Sequence, residues 1–472
     1  MIDDLELLRR YMNSAPPPPQ ADLDSARRHL DAEIDREISL VPTTTAGHTR
    51  LVRPTDLSQR AWRIRVAFTA AVAILVCAAV VLPLVRTGSP PGRGPTPSSW
   101  KLAGYIDHPT FQAQPSSGSE PGALTCPTTT TCYATGLTSP TPNYSAGFGP
   151  PSVLEVTQDG GSTWQQLLAP SGSIDLGTPT CPDSNTCMVV EQDYSLSQIT
   201  MSMLTTHDGG QTWTSLPFPG KGLGELQVSC PTASDCVALE AGPGPGGPGI
   251  QYVSYRTSDG GADWLASAVP GTFRSYSLQC FPSGLCIATG QVPGEYRITN
   301  VDEATVAGAM YSTDYGASWT LGTVPPGGVI ITALSCSDAV HCMSIEKPDP
   351  SSGQGNNMVL ETSDGSRTWT PSPTSVPATL SLEAISCPTA SDCWASGVAA
   401  GTKGAILSTS DGGQTWTIDP LPTIQGSTLV SVDVVTCPTV GACFALASEP
   451  RSSSQSGQQV VLSNADSSTT SG

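Results

Sequence analysis

The sequence predicts an all-β fold, built as a ring of repeated four-stranded sheets and preceded by one membrane-spanning helix. Three observations predict it: a repeat of about 50 residues, a composition rich in turn formers, and one long uncharged apolar run. The 47 Gly and 43 Pro among 472 residues favour many short strands joined by turns over an all-α fold. The net charge of −19 excludes general nucleic-acid binding, because a phosphate backbone would be repelled.

The apolar run covers residues 66–85, whose 20 uncharged residues suffice for a helix that spans the ~30 Å core of a bilayer. The positive-inside rule places the N-terminus in the cytoplasm and the remainder outside. The 65 residues before the run are too many for a cleaved signal peptide, so we interpret it as an uncleaved signal anchor of a single-pass cell-membrane protein. The orientation rests on the arginines that flank the run, which are Arg50, Arg53, Arg60, Arg63 and Arg65 before it and Arg86 and Arg93 after it.

Fourteen of the 15 cysteines form seven C-x5-C pairs, and the remaining one, Cys77, lies in the apolar run. Even pairing on the side predicted to be extracytoplasmic indicates seven local disulfides. Metal sites are the alternative interpretation, but we expect none, because the five histidines do not follow the pairs. The predicted disulfides are Cys126–Cys132, Cys181–Cys187, Cys230–Cys236, Cys280–Cys286, Cys336–Cys342, Cys387–Cys393 and Cys437–Cys443.

The cysteine pairs recur at intervals of 49 to 56 residues, a spacing typical of a repeat array. In the third unit the pattern separates into strands at 224–229, 236–240, 251–257 and 263–268, which predicts one antiparallel sheet per repeat. Seven such sheets arranged radially form a seven-bladed β-propeller with four-stranded blades.

A second motif, Ser/Thr-x-Asp-x-Gly-x-x-Trp, follows the first six cysteine pairs. Its residue types predict a structural role: Asp accepts from the N–H groups of a tight turn, Gly takes a positive φ, and Trp fills space between sheets. Ser366 replaces a Gly in the fifth copy, a change expected to cost little if a positive φ is not required there. The Asp and Trp of the six copies are Asp159 and Trp164, Asp208 and Trp213, Asp259 and Trp264, Asp314 and Trp319, Asp364 and Trp369, and Asp411 and Trp416.

The motif resembles the Asp-box of BNR-repeat propellers, in which it is structural. Residues 98–472 as a whole resemble the extracytoplasmic seven-bladed propellers related to the photosystem II assembly and stability factor, and more distantly the sialidase and sortilin propellers.

The last repeat ends after a third strand at 458–463, without a Trp or room for a fourth strand. Residues 98–102 match the strand that follows the other boxes, so we predict that residues 98–106 close the ring by completing the seventh blade.

Alternating strand directions place the cysteine hairpins and Asp-box hairpins on one face of the predicted ring, and connections of variable length on the other. Binding usually occurs where loops vary on a regular scaffold. The variable connections are 137–152, 191–202, 241–250, 291–309 and 346–357, and the candidate ligand contacts within them are Tyr144, Phe148, Tyr194, Tyr296 and Arg297.

The predicted order of segments is a helical cytoplasmic segment at 1–38, a linker at 39–65, the membrane helix at 66–85, a Pro/Gly-rich stalk at 86–97 and the propeller at 98–472. The first segment resembles the N-terminal parts of actinobacterial membrane proteins associated with sigma factors. It has no cysteine, so the zinc-binding anti-sigma motif is absent.

These features predict a membrane-anchored binding or scaffold propeller that recognises a protein or glycan outside the cell, without catalysis and without a cofactor. Three alternatives stay open: an assembly factor for a membrane protein complex, a transmembrane sensor that contacts a cytoplasmic regulatory protein such as a sigma factor, and a sialidase-like glycoside hydrolase. Resemblance to sialidases would imply three arginines on a carboxylate and an early Phe-Arg-Ile-Pro motif, whereas Phe273-Arg274 continues Ser-Tyr in mid-array. No nucleophile elbow, zinc-protease motif or phosphate loop is present.

Overall fold

The computed structural model shows seven four-stranded antiparallel sheets, one for each cysteine repeat. This confirms the predicted all-β, seven-bladed propeller. The structure describes residues 99–106, 124–137, 152–168, 174–193, 199–221, 226–243, 250–271, 273–293, 305–326, 328–348, 357–373, 376–377, 379–399, 403–450 and 459–465. Within these ranges there is no helix, and accordingly none that could cross a membrane. The segments predicted at 1–38, 39–65, 66–85 and 86–97 lie outside the described residues.

Blades are numbered from the first cysteine pair, and strands in chain order. The first strand, β1 (Lys101–Tyr105), belongs to blade 7. Blade 1 holds β2 (Leu124–Thr125), β3 (Cys132–Leu137), β4 (Ser152–Thr157) and β5 (Gln165–Leu168). Blade 2 holds β6 (Ile174–Leu176), β7 (Cys187–Asp193), β8 (Thr200–Thr206) and β9 (Thr214–Pro217). Blade 3 holds β10 (Leu226–Ser229), β11 (Cys236–Pro243), β12 (Ile250–Thr257) and β13 (Leu265–Ala268), each within three residues of its predicted bounds.

Blade 4 holds β14 (Arg274–Cys280), β15 (Cys286–Pro293), β16 (Thr305–Ser312) and β17 (Thr320–Leu321). Blade 5 holds β18 (Gly328–Cys336), β19 (Cys342–Pro348), β20 (Met358–Thr362) and β21 (Thr370–Pro371). Blade 6 holds β22 (Leu380–Ser386), β23 (Cys393–Ala399), β24 (Lys403–Thr409) and β25 (Thr417–Asp419). Blade 7 holds β26 (Ser431–Thr439), β27 (Ala442–Ser448) and β28 (Gln459–Ser463).

The N-terminal strand closes the ring. Strand β1 pairs antiparallel with β28, so the sheet order of blade 7 is β1-β28-β27-β26. Leu102 lies opposite Leu462, and Trp100, just before β1, is buried with 4% of its surface exposed. The prediction that this segment completes the last blade is confirmed.

The apolar core is divided among the spaces between neighbouring blades. Tyr133 of blade 1 packs in one cluster with Val189 of blade 2. At the closing junction Leu124 of blade 1 shares a cluster with Phe444 and Val461 of blade 7. Each sheet therefore buries both of its faces against other blades, as the radial arrangement requires.

Seven disulfides close the hairpins between the first and second strands, and each joins cysteines six residues apart, as predicted. The residue before the first cysteine also links neighbouring blades. Ser335 Oγ of blade 5 accepts a hydrogen bond of 2.8 Å from the N–H of Cys387 in blade 6. The N–H of the first cysteine donates to the equivalent side-chain oxygen of the preceding blade in four further pairs, Cys230 to Thr180, Cys280 to Ser229, Cys336 to Gln279, and Cys437 to Ser386.

Candidate functional site in the central channel

The Asp-box turns use their aspartates as backbone acceptors. In blade 1, Oδ1 of Asp159 accepts hydrogen bonds from the Thr157 hydroxyl at 2.8 Å and the Thr163 N–H at 2.9 Å, while Oδ2 accepts from the Thr163 hydroxyl at 2.6 Å. The Thr157 hydroxyl in turn accepts from the Gly161 N–H. The Asp Oδ1 contact to the residue four positions later recurs in the boxes of Asp208, Asp259, Asp314, Asp364 and Asp411.

These hydrogen bonds favour the ionised form of each box aspartate. The hydroxyl and N–H of Thr212 lower the pKa of Asp208 to about 2. Partial burial raises the pKa of Asp159 and of Asp411, but the donors of the turn outweigh it and the pKa of both lies below the ordinary value. The box carboxylates are therefore anionic at neutral pH, and their oxygens face their own turns.

Both residues that follow the box aspartate have a positive φ. In blade 1 these are Gly160 at 71° and Gly161 at 89°, whereas blade 4 has Tyr315 at 54° in the first position. Ser366 of blade 5 has a φ of 70°, in the left-handed region that favours glycine. The Gly-to-Ser change was expected to cost little only if a positive φ was not required there, and this condition is not met. The Ser366 hydroxyl accepts a hydrogen bond of 2.8 Å from the indole N–H of Trp369, a contact that a glycine could not make.

The box tryptophans lie between blades, and besides the contact of Trp369 their indole N–H groups have two further arrangements. In blade 3 Trp264 donates to the carbonyl of Gly261 in its own box, as Trp164 and Trp213 do in theirs. In blade 6 the equivalent carbonyl, of Gly413, instead accepts from the hydroxyl of Ser372 in blade 5, and Trp416 Nε1 has no hydrogen-bond partner. The box carbonyl is thus a contact point between neighbouring blades.

The antiparallel order of each blade places the cysteine and Asp-box hairpins on one face, here called the hairpin face. The connections between strands two and three, and between blades, lie on the other, the variable face. All five candidate contacts in the variable loops lie outside the described residues, namely Tyr144, Phe148, Tyr194, Tyr296 and Arg297. The described residues place a different set of polar side chains on the wall of the central channel.

The channel forms a cavity of about 480 Å³ that is lined by residues from all seven blades. An aliphatic ring lines it on the hairpin side, with residues two positions before the first cysteine of six blades: Leu124, Val228, Leu278, Leu334, Ile385 and Val435. Aliphatic walls exclude water and strengthen electrostatic interactions nearby. The polar groups of the channel lie in the neighbouring layer, two residues closer to the variable face.

In this polar layer, four consecutive innermost strands carry a β-bulge. The pairing of β14, β18, β22 and β26 skips Tyr276, Thr332, Glu383 and Asp433, each of which stands four residues before the first cysteine of its repeat. A bulge inserts an extra residue and re-aims its side chain. Tyr276, Thr332 and Glu383 line the cavity, and Asp433 occupies the equivalent position in blade 7. Blades 2 and 3 present Gly177 and Leu226 in this layer.

Four charged side chains and one tyrosine of blades 4 to 7 surround this layer and are here called the charged arc, which consists of Arg274, Tyr276, Lys347, Glu383 and Asp433. Lys347 Nζ lies 2.7 Å from Glu383 Oε2, an ion pair that joins blade 5 to blade 6. The guanidinium of Arg274 lies 5.1 Å from the ring centroid of Tyr276, within cation–π range.

A chain of hydrogen bonds across blade 7 positions the Asp433 carboxylate. Gln459 Nε2 donates to Ser448 Oγ at 2.8 Å, and Ser448 donates to Asp433 Oδ2 at 3.2 Å. Burial raises the pKa of Asp433, the Ser431 and Ser448 hydroxyls lower it, and the negative charge of Glu383 raises it further, so the net direction is upward. The negative charge of Glu383 thus reaches the Asp433 carboxyl.

Sequence reasoning missed the arc. The available signal was a polar residue four positions before the first cysteine in successive repeats, but without the strand register nothing indicated that this position is a bulge facing the channel. In the described residues a smaller cavity of about 230 Å³ also lies between the hairpins of blades 5 and 6. It is lined by the uniform hairpins, including Cys342 and Cys387, and so carries less individual chemistry than the channel.

The arginines considered for a sialidase triad are dispersed in the described residues. Arg274 begins β14 at the variable face, whereas Arg367 lies in an Asp-box turn on the hairpin face, stacked 5.1 Å from the Tyr311 ring. Arg256 lies near the end of β12, next to the Asp-box of blade 3. Arg297 and Arg451 lie outside the described residues. No cluster of three or more His, Cys, Asp or Glu that could hold a metal occurs in the described ranges.

No family model and no curated protein matches the chain. Among solved structures it is similar to YCF48 bound to D1 peptide (15% identity, TM-score 0.47, covering 79% of this chain and 100% of that one). It is also similar to a PL25 ulvan lyase (9%, TM-score 0.51, 77% and 96%) and to the Hadza microbial sialidase Hz136 (14%, TM-score 0.42, 66% and 73%). These likenesses match the propeller resemblance expected from the repeats, and at these identities they show the fold, which enzymes and YCF48 share.

Proposed function

We propose that the protein is a membrane-anchored, non-enzymatic propeller that binds a protein or a glycan outside the cell. The observation that carries this proposal is the charged arc in the channel. Four successive bulges place a tyrosine, a threonine and two carboxylates in one layer, and hydrogen bonds across blade 7 orient one carboxylate. Such a concave site, apolar with a few positioned polar groups, is typical of ligand binding.

The location outside the cell is part of the proposal and rests on the uncharged run at residues 66–85 and the arginines before it. The seven disulfides support it, because disulfides persist in oxidising compartments.

Binding without catalysis is favoured over a sialidase-like reaction by the separation of the arginines. Arg274 and Arg367 lie at opposite faces of the propeller, so they cannot grip one carboxylate together. The six box aspartates are engaged by their own turns.

The test compares the partners captured by the immobilised full-length wild type, whose channel is open, with those captured by a variant whose channel is blocked. Gly177 lines the channel, and a Cβ added there would meet the Val190 carbonyl at 3.7 Å, an ordinary contact. A side chain can therefore start at this position, and Gly177→Trp is designed to place an indole in the channel. Asp263→Asn changes an exposed carboxylate on the hairpin face as the control. Proteins or glycans retained by the wild type and by Asp263→Asn, but lost by Gly177→Trp, support the proposal. The proposal is contradicted if Gly177→Trp retains the same partners as the wild type, or if the wild type hydrolyses or cleaves members of a glycan panel.

A further inference from the structure

The two carboxylates of the charged arc lie in blades 6 and 7, and in the described residues one cation contacts them. The other cation of the arc, Arg274, lies in blade 4 against the Tyr276 ring. Lys347 contacts Glu383 at 2.7 Å. Asp433 has hydroxyl partners in Ser431 and Ser448, and no ion pair of Asp433 occurs within the described ranges. The part of the arc in blades 5 to 7 therefore holds two carboxylates against one cation, an excess of negative charge beside an aliphatic ring.

Burial makes that excess unfavourable in the absence of a ligand. The charge of Glu383 opposes ionisation of Asp433, and the low polarity of the wall strengthens the repulsion. A cation entering between the two residues would relieve both effects, because it would pair with Asp433 and share Glu383 with Lys347.

The shape of the site selects among cations. Opposite the arc, blades 2 and 3 present Gly177 and Leu226, and the aliphatic ring lies beneath. A lysine or arginine side chain has an apolar stem for such a surface and a charged end for the carboxylates. The cavity of about 480 Å³ accommodates one or two side chains but not a folded domain. A neutral sugar would leave the excess charge unpaired.

We infer that the channel receives a lysine or arginine side chain, presented by an exposed segment of a partner protein, with Glu383 and Asp433 as its counter-charges. This inference rests on the proposed function and specifies the partner chemistry of the same site. Lys347 then competes with the ligand for Glu383. Substituting Lys347 should therefore strengthen ligand binding, whereas substituting Glu383 or Asp433 should weaken it.

The experiment is selection of a random dodecapeptide phage library on the immobilised full-length protein, with peptides that also bind Gly177→Trp removed. We expect the selected peptides to share a Lys or Arg. Synthetic versions with norleucine at that position should bind about tenfold more weakly, the loss expected for one charge-assisted hydrogen bond. Glu383→Gln and Asp433→Asn should weaken binding of the basic peptide by a similar factor, and Asp263→Asn should leave it unchanged.

Lys347→Met should strengthen binding of the same peptide, because it leaves the Glu383 carboxylate to the ligand; a residue that only maintained the wall would weaken it when replaced. Channel-dependent peptides without a basic residue, or insensitive to Glu383→Gln and Asp433→Asn, would overturn the inference and leave the proposed function standing. Failure to obtain any channel-dependent peptide or glycan would contradict the proposed function itself. A rise in melting temperature with Ca²⁺ that Asp433→Asn abolishes would identify a metal site and also overturn the inference.

Discussion

The indole N–H of Trp100 donates a buried hydrogen bond of 3.0 Å to Oδ2 of Asp419, in the outer strand of blade 6. The other oxygen of Asp419 accepts from the Ser408 hydroxyl at 2.7 Å. Trp100 precedes β1, which pairs with β28 in blade 7. The closing segment is therefore held both within its own blade and by the blade beside it.

Replacing Trp100 with Ala should destabilise the protein by about 3 to 5 kcal/mol, because it removes a buried aromatic side chain together with its hydrogen bond to Asp419. Trp100→Phe keeps most of the apolar volume and should cost about 1 to 3 kcal/mol. Differential scanning calorimetry of the full-length variants measures both. A chain that begins at Lys101 should likewise melt below one that begins at Gly88, and equal melting temperatures would contradict closure by this segment.

Ser366 combines a strained φ with a hydrogen bond from Trp369, and two substitutions separate these effects. Ser366→Ala keeps the positive φ and removes the acceptor of a buried indole N–H, so we expect a loss of about 1 to 3 kcal/mol. Ser366→Gly also removes the acceptor but relieves the strain, which costs roughly 1 kcal/mol, and should be the milder change. Chemical denaturation gives the order, and a larger loss for Gly than for Ala would refute the account.

Stability should fall as pH rises through neutrality. Burial raises the pKa of Glu346 from 4.5 to about 7, so protonation stabilises the fold fully below pH 4.5 and this contribution is lost as pH rises through 7. The loss amounts to at most about 3 kcal/mol. Melting temperatures between pH 5 and pH 8 should therefore decline, and Glu346→Gln should flatten the decline. Asp263→Asn, at an exposed carboxylate, serves as the control. A pH profile of Glu346→Gln identical to that of the wild type would show that the pKa of Glu346 is not raised in the folded protein.

The hydroxyl of Ser335 should be replaceable only by another hydroxyl. Ser335→Ala leaves the N–H of Cys387 without its acceptor at the contact between blades 5 and 6, and we expect a loss of about 1 to 2 kcal/mol. Ser335→Thr should be tolerated, because Thr180 accepts from Cys230 at the equivalent place between blades 2 and 3. Urea denaturation of the two variants distinguishes the results, and similar losses for both would point to packing rather than the hydrogen bond.

The repeat pattern made the blades predictable because each signal is local in sequence. The C-x5-C pairs define the hairpins between strands one and two, and Trp100 matches the tryptophans of the boxes, which was enough to predict closure. The channel site was not predictable in the same way. In a regular strand register, Glu383 and Asp433 would be paired like their neighbours and nothing would mark them as facing the channel. They face it because of a bulge, and a bulge depends on the partner strand as well as on the bulged one. Their placement in one layer of two neighbouring blades depends on the ring itself.

The pairing of β1 with β28 joins the first and the last strand of the described residues. A ribosome delivers β1 before any blade exists, and its partner comes only after the other six sheets have been synthesised. Until then β1 and the incomplete blade 7 both expose unpaired strand edges. A chain that stops before residue 459 cannot close at all, however well its other blades fold. The topology thereby acts as a check on synthesis, since only a chain that extends through β28 can pair its edges and escape aggregation or proteolysis.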